Sequence, residues 1–297
     1  MNRIDALKRI AFEKSYSDGF VVFNWANLLY LTGVPGTAAL LIPRDGENTI
    51  YVYGVNYEQA KADGRGFRVD LVKRGQNLMA KIAGDAKNCR IGGLAVDALG
   101  IEDWRALSKE MKGEARIKVK GSIVGELRKV KDAEEIALMR KAGELTSEGM
   151  KAAYEVLAPS MKEYEVAAEI EYAMRKRGSY GTAFETAVAS GSRSAFPHGG
   201  CSDREVSEGD LVVVDVGATY KSYRSDMTRT LVAGKPTEKQ KRLHEIVRAA
   251  QAKAFEAIKP KAKARDVDAA ARRIIEAAGY GEYFVHGLGH GVGLEIH

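Results

Sequence analysis

A predicted hairpin that carries two aspartates, LVVVDVGATYKSYRSDMTRT, constrains this chain more than any other segment. Residues 211–214 form a β-branched, apolar run that predicts a buried strand, and residues 224–232 form a second extended segment. With the hairpin tip between residues 220 and 221, Asp215 lies directly opposite Asp226 on one face. The segment therefore predicts two adjacent carboxylates.

Two opposed carboxylates repel each other, because their β-carbons would lie about 5 Å apart. Burial of an unpaired charge is costly, so such groups either become neutral or acquire a partner. One divalent cation, or two, between Asp215 and Asp226 would remove the repulsion and create a site. The alternative is a slipped register in which both aspartates face water.

Three of the five histidines, His286, His290 and His297, lie in the C-terminal segment VHGLGHGVGLEIH. Its glycines disfavour a helix, because each costs about 1 kcal/mol there, and they predict an extended or looped backbone. In an extended backbone His286 and His290 share a face, whereas His297 needs a bend to join them. This concentration of imidazoles indicates a functional segment.

A fourth histidine, His198, lies in the sequence AFPHGG, where Pro197 and two glycines predict a turn. Its place on a shaped loop favours a functional role. Cys201 lies three residues away and could act as a nucleophile with His198. No other residue supports that pairing, so a buried or inert cysteine is the preferred interpretation.

Residues 1–124 alternate short apolar strands with amphipathic helices, an order that predicts an α/β layer structure. This half shows no constellation of His, Cys, Asp or Glu, so we assign it no chemistry. Residues 125–297 open with a shift to charged composition and a long helical pattern, for which Asp132 is the predicted N-cap. We therefore expect two domains, over 1–124 and 125–297.

Composition narrows the classes of protein that the chain could represent. Apolar residues make up 45% and charged residues 29%, as in globular proteins, and no window approaches the ~20 apolar residues of a membrane helix. The net charge of +6 comes from interleaved basic and acidic residues, so nucleic-acid binding is a weak alternative. Two cysteines and an N-terminus without an apolar signal core favour the cytoplasm. We expect no nucleic-acid and no membrane partner.

The segments ASGSRSAFPHG, VVVDVGATYKSYRSDMTRT and HGLGHGVGLEIH resemble, in this order, motifs of the pita-bread metallopeptidase family. The family includes Xaa-Pro dipeptidase (prolidase), Xaa-Pro aminopeptidase, methionine aminopeptidase and creatinase. The first half, including NLLYLTG, is similar to an N-terminal domain that methionine aminopeptidases lack. The resemblance implies a creatinase/prolidase-like α/β domain followed by a pita-bread catalytic domain.

By position, the resemblance implies that Asp215 chelates one metal ion, that Asp226 bridges two ions, and that His290 binds the other. The resemblance thus implies two divalent cations. Mn²⁺ is the preferred ion, and Co²⁺ or Zn²⁺ are the alternatives. Relatives have two further glutamate ligands beyond the position of His297. We therefore expect the chain to be C-terminally truncated, with weak metal retention and poor activity.

The resemblance also implies hydrolysis of Xaa-Pro bonds, as a dipeptidase or aminopeptidase, by a water activated between two ions. His198 and His297 are expected to contact the scissile carbonyl or the developing tetrahedral intermediate. His286 and Phe184 are expected to line the substrate site. Proline-containing dipeptides or short peptides are the implied substrates, and a homodimer is the implied assembly.

Two alternative functions remain open. The first is a creatinase-like hydrolase that cleaves a non-peptide C–N bond without metal. The three retained metal-ligand positions argue against it. The second is a catalytically inactive pita-bread protein that acts as a binding or scaffold module.

Overall fold

A computed structural model describes residues 2–14, 17–113 and 116–297. The chain divides into two compact units, one that ends at Lys131 and one that comprises Asp132–His297. A boundary between residues 124 and 125 would fall inside a helix, Ser122–Lys129. The charged composition that suggested this boundary begins within the helix, not after it. Each unit has its own hydrophobic core.

In the described part of the first unit, six strands form a mixed sheet with the order β4-β3-β2-β1-β5-β6. They are β1 (Gly19–Val22), β2 (Thr37–Pro43), β3 (Thr49–Tyr53), β4 (Arg68–Val72), β5 (Gly93–Val96) and β6 (Arg116–Val119). The β1–β2 and β2–β3 pairs are antiparallel, and the remaining pairs are parallel. The apolar runs predicted as strands form β1, β2, β3 and β5. Charged residues in β4 and β6 concealed those two strands.

The helices of the first unit include one that the sequence pattern did not predict. They are α1 (Arg3–Lys14), α2 (Trp25–Thr32), α3 (Tyr57–Asp63), α4 (Leu78–Asn88), α5 (Ile101–Met111) and α6 (Ser122–Lys129). The segment NWANLLYLTG is an apolar stretch without titratable groups, for which the sequence alone favours buried core and a turn. It forms α2, which Asn24 caps and Gly33 ends with a φ of 69°. Because most of α2 is buried, it lacks the polar face that reveals a helical period.

The helices of the second unit lie close to the bounds that the sequence pattern predicts, which are 164–177, 237–258 and 264–278 for the three that follow the long first helix. They are α7 (Ala133–Val156), α8 (Glu163–Lys176), α9 (Glu238–Ala257) and α10 (Ala264–Ala277). Asp132 caps α7 as predicted, because it accepts the backbone N–H of Glu135 while the Glu135 side chain accepts the backbone N–H of Asp132. Among the described residues, no helix combines the length and the apolar character needed to cross a membrane.

Two small sheets of the second unit have the strand orders β11-β10-β7 and β12-β9-β8. Their strands are β7 (Gly181–Thr182), β8 (Ala187–Ser190), β9 (Leu211–Val216), β10 (Ala218–Tyr220), β11 (Tyr223–Arg224) and β12 (Met227–Val232). Val212, Val214 and Val216 of β9 are buried in a core that includes Leu145 of α7 and Ile170 of α8. Since strand side chains alternate, the residues between these valines face the opposite side of the sheet.

The hairpin turn lies one residue later than predicted. Tyr220 pairs with Tyr223 around the two-residue turn Lys221-Ser222. Both turn residues have a positive φ, 45° and 70°, as two-residue hairpin turns require. Asn and Gly are the usual residues for that backbone, so Lys-Ser carried no sequence signal that marked the turn.

The C-terminal segment after α10 is a loop that follows a short 3₁₀ helix, Gly281–Tyr283. No strand forms between residues 284 and 297, all of which the structure describes. The backbone of Gly289 has a φ of 74°, which turns the chain between His286 and His290. The looped interpretation of the glycine-rich segment is therefore confirmed over the extended one.

Candidate metal centre

Two aspartates lie at the junction of β9 and β12. Asp215 pairs with Thr228, so the predicted direct opposition of Asp215 and Asp226 is wrong. The turn lies one residue later, which moves each cross-strand partner by two positions. Because side chains alternate along a strand, a shift of two keeps Asp226, just before β12, diagonal to Asp215 on the same face.

The environment of Asp215 disfavours its negative charge. Burial raises the pKa of Asp215 above its usual value, and the charge of Asp226 raises it further. The Thr228 hydroxyl donates a 2.7 Å hydrogen bond to Asp215 Oδ1, and this bond and the nearby His290 both lower the pKa of Asp215. Burial and the charge of Asp226 outweigh these two effects. A carboxylate in this state gains strongly from a neighbouring cation.

His290 extends this acidic pair toward the glycine-rich loop. Its Nε2 lies 3.2 Å from Asp226 Oδ2, and the two side chains are 37% and 28% exposed. Its Nδ1 lies 2.9 Å from the carbonyl oxygen of Gly291. Donation of the Nδ1 proton to that carbonyl would leave Nε2 free to bind a metal ion placed between His290 and Asp226, as is usual for histidine ligands. The His297 ring lies 4.4 Å from the His290 ring.

Two charged residues of α10 fix the start of the glycine-rich loop. Asp268 accepts the backbone N–H of Leu288 over 2.9 Å, and it pairs with Arg272 through both carboxylate oxygens. Arg272 in turn donates to the carbonyl oxygens of Phe284 and His286, at 2.8 Å and 2.9 Å. The hydrogen bond from Arg272 is the main reason that the pKa of Asp268 is low. These contacts hold the backbone on either side of His286.

A cavity of about 970 Å³ brings together five of the predicted site residues. They are His198, Asp215, His286, His290 and His297. Two loops and strand β9 of the second unit therefore meet at one concave surface, although these residues lie as much as 99 positions apart in sequence. A volume of this size is in the range of small-molecule sites.

The other two side chains singled out from the sequence near this site, Phe184 and Cys201, have different surroundings. The ring of Phe184 lies against Gly217, where it leaves no room for a Cβ. Phe184 is not among the described residues that line the cavity, so its substrate contact stays a prediction. The Sγ atom of Cys201 donates to the carbonyl of Thr186, and burial raises the pKa of its thiol, which makes a nucleophilic thiolate scarce.

The donor atoms present fit a divalent cation. Within the described ranges, no three His, Cys, Asp or Glu side chains converge closely enough to coordinate an ion as they stand. Two carboxylates and an imidazole are nevertheless the donors that Mn²⁺, Co²⁺ and Zn²⁺ accept. The charge of Asp226 also adds to the rise in the pKa of Asp215, which a cation between them would reverse.

Sequence reasoning did not assign three residues that shape this site. Thr228 shares the alternating pattern of Asp226, so its place on the same face was visible, but its bond to Asp215 depends on the true register. Asp268 and Arg272 stand four positions apart on α10, which by itself indicates an ordinary ion pair on a helix. Their role depends on a loop that follows in the chain, and no local pattern reports such a contact.

A fold with a two-sheet, four-helix second unit and a site rich in carboxylates and imidazoles indicates a metal-dependent hydrolase. The chain belongs to metallopeptidase family M24, whose model matches residues 137–297. The model of the creatinase/prolidase N-terminal domain matches residues 3–130. The expected family is therefore confirmed.

Curated relatives match nearly the whole chain. An Xaa-Pro dipeptidase of Pyrococcus horikoshii is 40% identical over 291 residues, which cover 96% of this chain and 80% of the relative. An Xaa-Pro dipeptidase of Pyrococcus furiosus is 40% identical over 301 residues, which cover 99% of this chain and 83% of the relative.

Solved structures confirm the expected fold class. The Xaa-Pro dipeptidase from Bacillus anthracis superposes with a TM-score of 0.93 at 34% identity, over 99% of this chain and 82% of that structure. The prolidase from Pyrococcus horikoshii OT3 superposes with a TM-score of 0.91 at 37% identity, over 100% of this chain and 84% of that structure. The chain thus has a creatinase/prolidase-like α/β domain and a pita-bread domain.

Proposed function

We propose that this protein hydrolyses the peptide bond before proline in Xaa-Pro dipeptides or short proline-containing peptides. The observation that carries the proposal is the meeting of four histidines and Asp215 at one cavity of about 970 Å³. Support comes also from the two Pyrococcus relatives, both described as Xaa-Pro dipeptidases, at 40% identity.

Asp215, Asp226 and His290 would hold two divalent metal ions. Mn²⁺ is the preferred ion, and Co²⁺ or Zn²⁺ are the alternatives. When bound, such ions would supply Lewis-acid polarisation of the scissile carbonyl and a lowered pKa for a water molecule. Thr228 keeps one oxygen of Asp215 oriented through its 2.7 Å hydrogen bond. The Gly291 carbonyl fixes the ring plane of His290 at its Nδ1.

His198 and His297 are suited to act on the substrate itself. Both line the cavity on which Asp215 opens, and both are exposed, so their ring nitrogens are accessible to a bound peptide. An imidazole N–H can donate a hydrogen bond to an oxygen that becomes negative during attack on a carbonyl, and it can return a proton to the leaving nitrogen. His286 and Phe184 would contact the substrate side chains.

Two further properties belong to this proposal. The family resemblance favours a homodimer, which light scattering at several concentrations would detect. A cytoplasmic location is supported by the two cysteines, Cys89 and Cys201, which are both free thiols in the structure. Localisation of a tagged protein in its own cell would test it.

A hydrolysis assay with the purified protein tests the proposed reaction. With Mn²⁺ present, we expect cleavage of Xaa-Pro dipeptides in preference to Xaa-Ala dipeptides, and loss of cleavage in a chelator. His290→Gln should lower the rate about 100-fold or more, because Lewis-acid stabilisation is worth several kcal/mol. His244→Gln, an exposed histidine on α9, is the matched control and should leave the rate unchanged.

The same assay separates the alternatives. Failure of the Mn²⁺-loaded protein and of a version extended at its C-terminus to cleave any Xaa-Pro dipeptide would contradict the peptidase proposal and favour a binding module. Metal-independent cleavage of a non-peptide C–N bond would favour a creatinase-like activity instead.

A further inference from the structure

Glu163 is the first residue of α8, yet its side chain has no exposed surface. Five donors surround its carboxylate. Oε1 accepts the backbone N–H and the hydroxyl of Ser190, both at 2.7 Å. Oε2 accepts the backbone N–H and the hydroxyl of Ser202 at 2.9 Å and 2.7 Å, and Nε of Arg193 at 3.1 Å. A helix terminus seldom buries a charge, so this saturation needs a reason.

The partners of Glu163 belong to one loop, and they lie at its two ends. Ser190 is the last residue of β8, and Ser202 lies beyond the turn that carries His198. One carboxylate therefore joins the start and the end of a twelve-residue excursion, with a separate oxygen for each end. His198 lies within that excursion and lines the candidate site.

Arg193 carries the connection to the turn itself. While its Nε donates to Glu163, its Nη2 donates to the carbonyl of Gly199 at 2.5 Å, next to His198. A second ion pair closes the base of the loop, because Arg204 donates to Asp210 at 2.6 Å. The backbone beside His198 is thus two hydrogen bonds away from Glu163.

The ionised carboxylate is the species that these contacts require. Each carboxylate oxygen of Glu163 faces only hydrogen-bond donors. A glutamine at this position would therefore direct its amide N–H groups at another N–H or O–H group. Burial alone would raise the pKa of Glu163, but the hydrogen bonds from Ser202, Ser190 and Arg193 outweigh it and hold the pKa below its ordinary value. Glu163 therefore stays charged at neutral pH while it is buried.

We propose that Glu163 is a positioning residue for His198, which acts by holding both ends and the middle of the loop 191–202 in one conformation. It contacts no substrate, because no surface of its side chain is accessible. The inference rests on the proposed function for its kinetic consequence, although the placement of His198 can be measured without any turnover.

Histidine-selective NMR measures that placement, because the chain has five histidines and His198→Gln identifies the signal of His198 by its loss. In folded Glu163→Gln protein, we expect the His198 imidazole signal to shift and broaden while the signal of His244 on α9 stays unchanged. Glu171→Gln alters an exposed glutamate of the same helix and should leave both signals in place. An unchanged His198 signal in folded Glu163→Gln protein would overturn the proposal.

Kinetics with an Xaa-Pro dipeptide give the second readout. Misplacement of a group that acts in the transition state lowers kcat while KM stays nearly constant. We expect kcat of Glu163→Gln to fall about tenfold or more, since small displacements of positioned groups carry losses of this order. Equal kcat values for Glu163→Gln and Glu171→Gln would contradict the inference.

Arg193→Lys keeps the proposal testable if Glu163→Gln does not fold. A lysine retains the charge but cannot span Glu163 and Gly199 with two separate nitrogens. We expect a smaller shift of the same His198 signal, and no shift would overturn the proposal. If neither the wild type nor its C-terminally extended version cleaves an Xaa-Pro dipeptide, the proposed function fails, whereas the NMR result still decides the role of Glu163.

Discussion

Asp215 is half-buried beside a second carboxylate, and this position gives the site its chemistry. The neighbouring Asp226 contributes to the raised pKa of Asp215, and the Thr228 hydroxyl donates a hydrogen bond to only one carboxylate oxygen of Asp215. Without a cation, the ionised pair lowers the stability of the folded chain. In the proposed metal centre the same two charges would serve as ligands of a cation, so stability and function would oppose each other at this one position.

Replacement of Asp215 by Asn should stabilise the metal-free protein at neutral pH. The pKa of Asp215 is raised in the folded state, so protonation of this carboxyl stabilises the fold. This stabilisation is complete below a pH of about 3.9, the ordinary aspartate pKa, and it is lost as the pH rises through the folded-state pKa. In a chelator at pH 7 we expect Asp215→Asn to melt about 2 to 4 °C above the wild type. The difference should vanish in acid.

Thermal melts between pH 3 and 8 check this prediction, with Asp203→Asn, an exposed aspartate of the same unit, as the control. A difference between Asp215→Asn and wild type that did not depend on pH would contradict the assigned cause.

Thr228→Val should weaken metal binding without unfolding the chain. The hydroxyl of Thr228 orients Asp215 Oδ1, and loss of such supporting hydrogen bonds costs about 10- to 100-fold in metal affinity. Titration calorimetry with Mn²⁺ measures the change. Thr230→Val alters the next threonine on the same face of β12 and should retain wild-type affinity.

The residues of the candidate site could be proposed from the sequence because they stand in short motifs. Asp215, His198 and His290 stand in segments whose turns, glycines and alternation already limit what they can do. Glu163 was not visible, because a glutamate at the start of a helix is normally an exposed, dipole-stabilising residue. Its burial arises from contacts with a loop that begins 27 positions later.

At the scale of elements, the hairpin that carries both aspartates is joined to helix α7 by a hydroxyl pair. Thr146, which has no exposed surface, lies 2.6 Å from the hydroxyl of Ser225 and accepts the backbone N–H of Ala218 at 2.9 Å. Ser225 directly precedes Asp226. The position of Asp226 thus depends on a helix that holds no ligand.

Thr146→Val should therefore affect both stability and metal binding. The substitution keeps the shape of the side chain but removes the nearer acceptor of the Ala218 N–H, which retains only Ser225 Oγ at 3.3 Å. Loss of such a hydrogen bond costs about 0.5 to 1.5 kcal/mol. Urea unfolding measures the loss of stability, and Mn²⁺ titration should show weaker binding. Ser147→Ala, at the neighbouring solvent-exposed position of α7, should change neither quantity.

Prediction of the secondary structure succeeded where local end signals flank a visible hydrophobic period and failed where one of the two is missing. The Asp132–Glu135 capping box and Thr237 mark the starts of α7 and α9 in sequence. The Lys221-Ser222 turn carries no such signal. Helix α2 has Asn24 and Gly33 at its ends, but most of its residues are buried and show no helical period. The register error was harmless to the site because a shift of two residues preserves the face of a strand.

At the scale of the whole molecule, the residues of the candidate site all lie in the second unit. The cavity and its acidic pair comprise residues after position 131, and the first unit provides a mixed sheet packed with helices. The sequence indicated this division because the first half shows no constellation of titratable residues of the kind found in the second.

Mn²⁺ should protect the second unit and not the first from hydrogen exchange. A ligand that binds only the folded state stabilises the elements that hold it, by about 2.7 kcal/mol at 100 times its Kd. We expect slower exchange in residues 211–232 and 284–297 on addition of Mn²⁺, with residues 17–113 unchanged. Equal protection of both units would show that the ion acts elsewhere.

Anomalous diffraction from crystals grown with Mn²⁺ tests the central claim most directly, because it locates the ion without reference to activity. We predict a manganese peak in contact with carboxylate oxygens of Asp215 and Asp226 and with Nε2 of His290. A peak at any other position, with Asp215 and Asp226 free of metal at saturating Mn²⁺, would contradict the account.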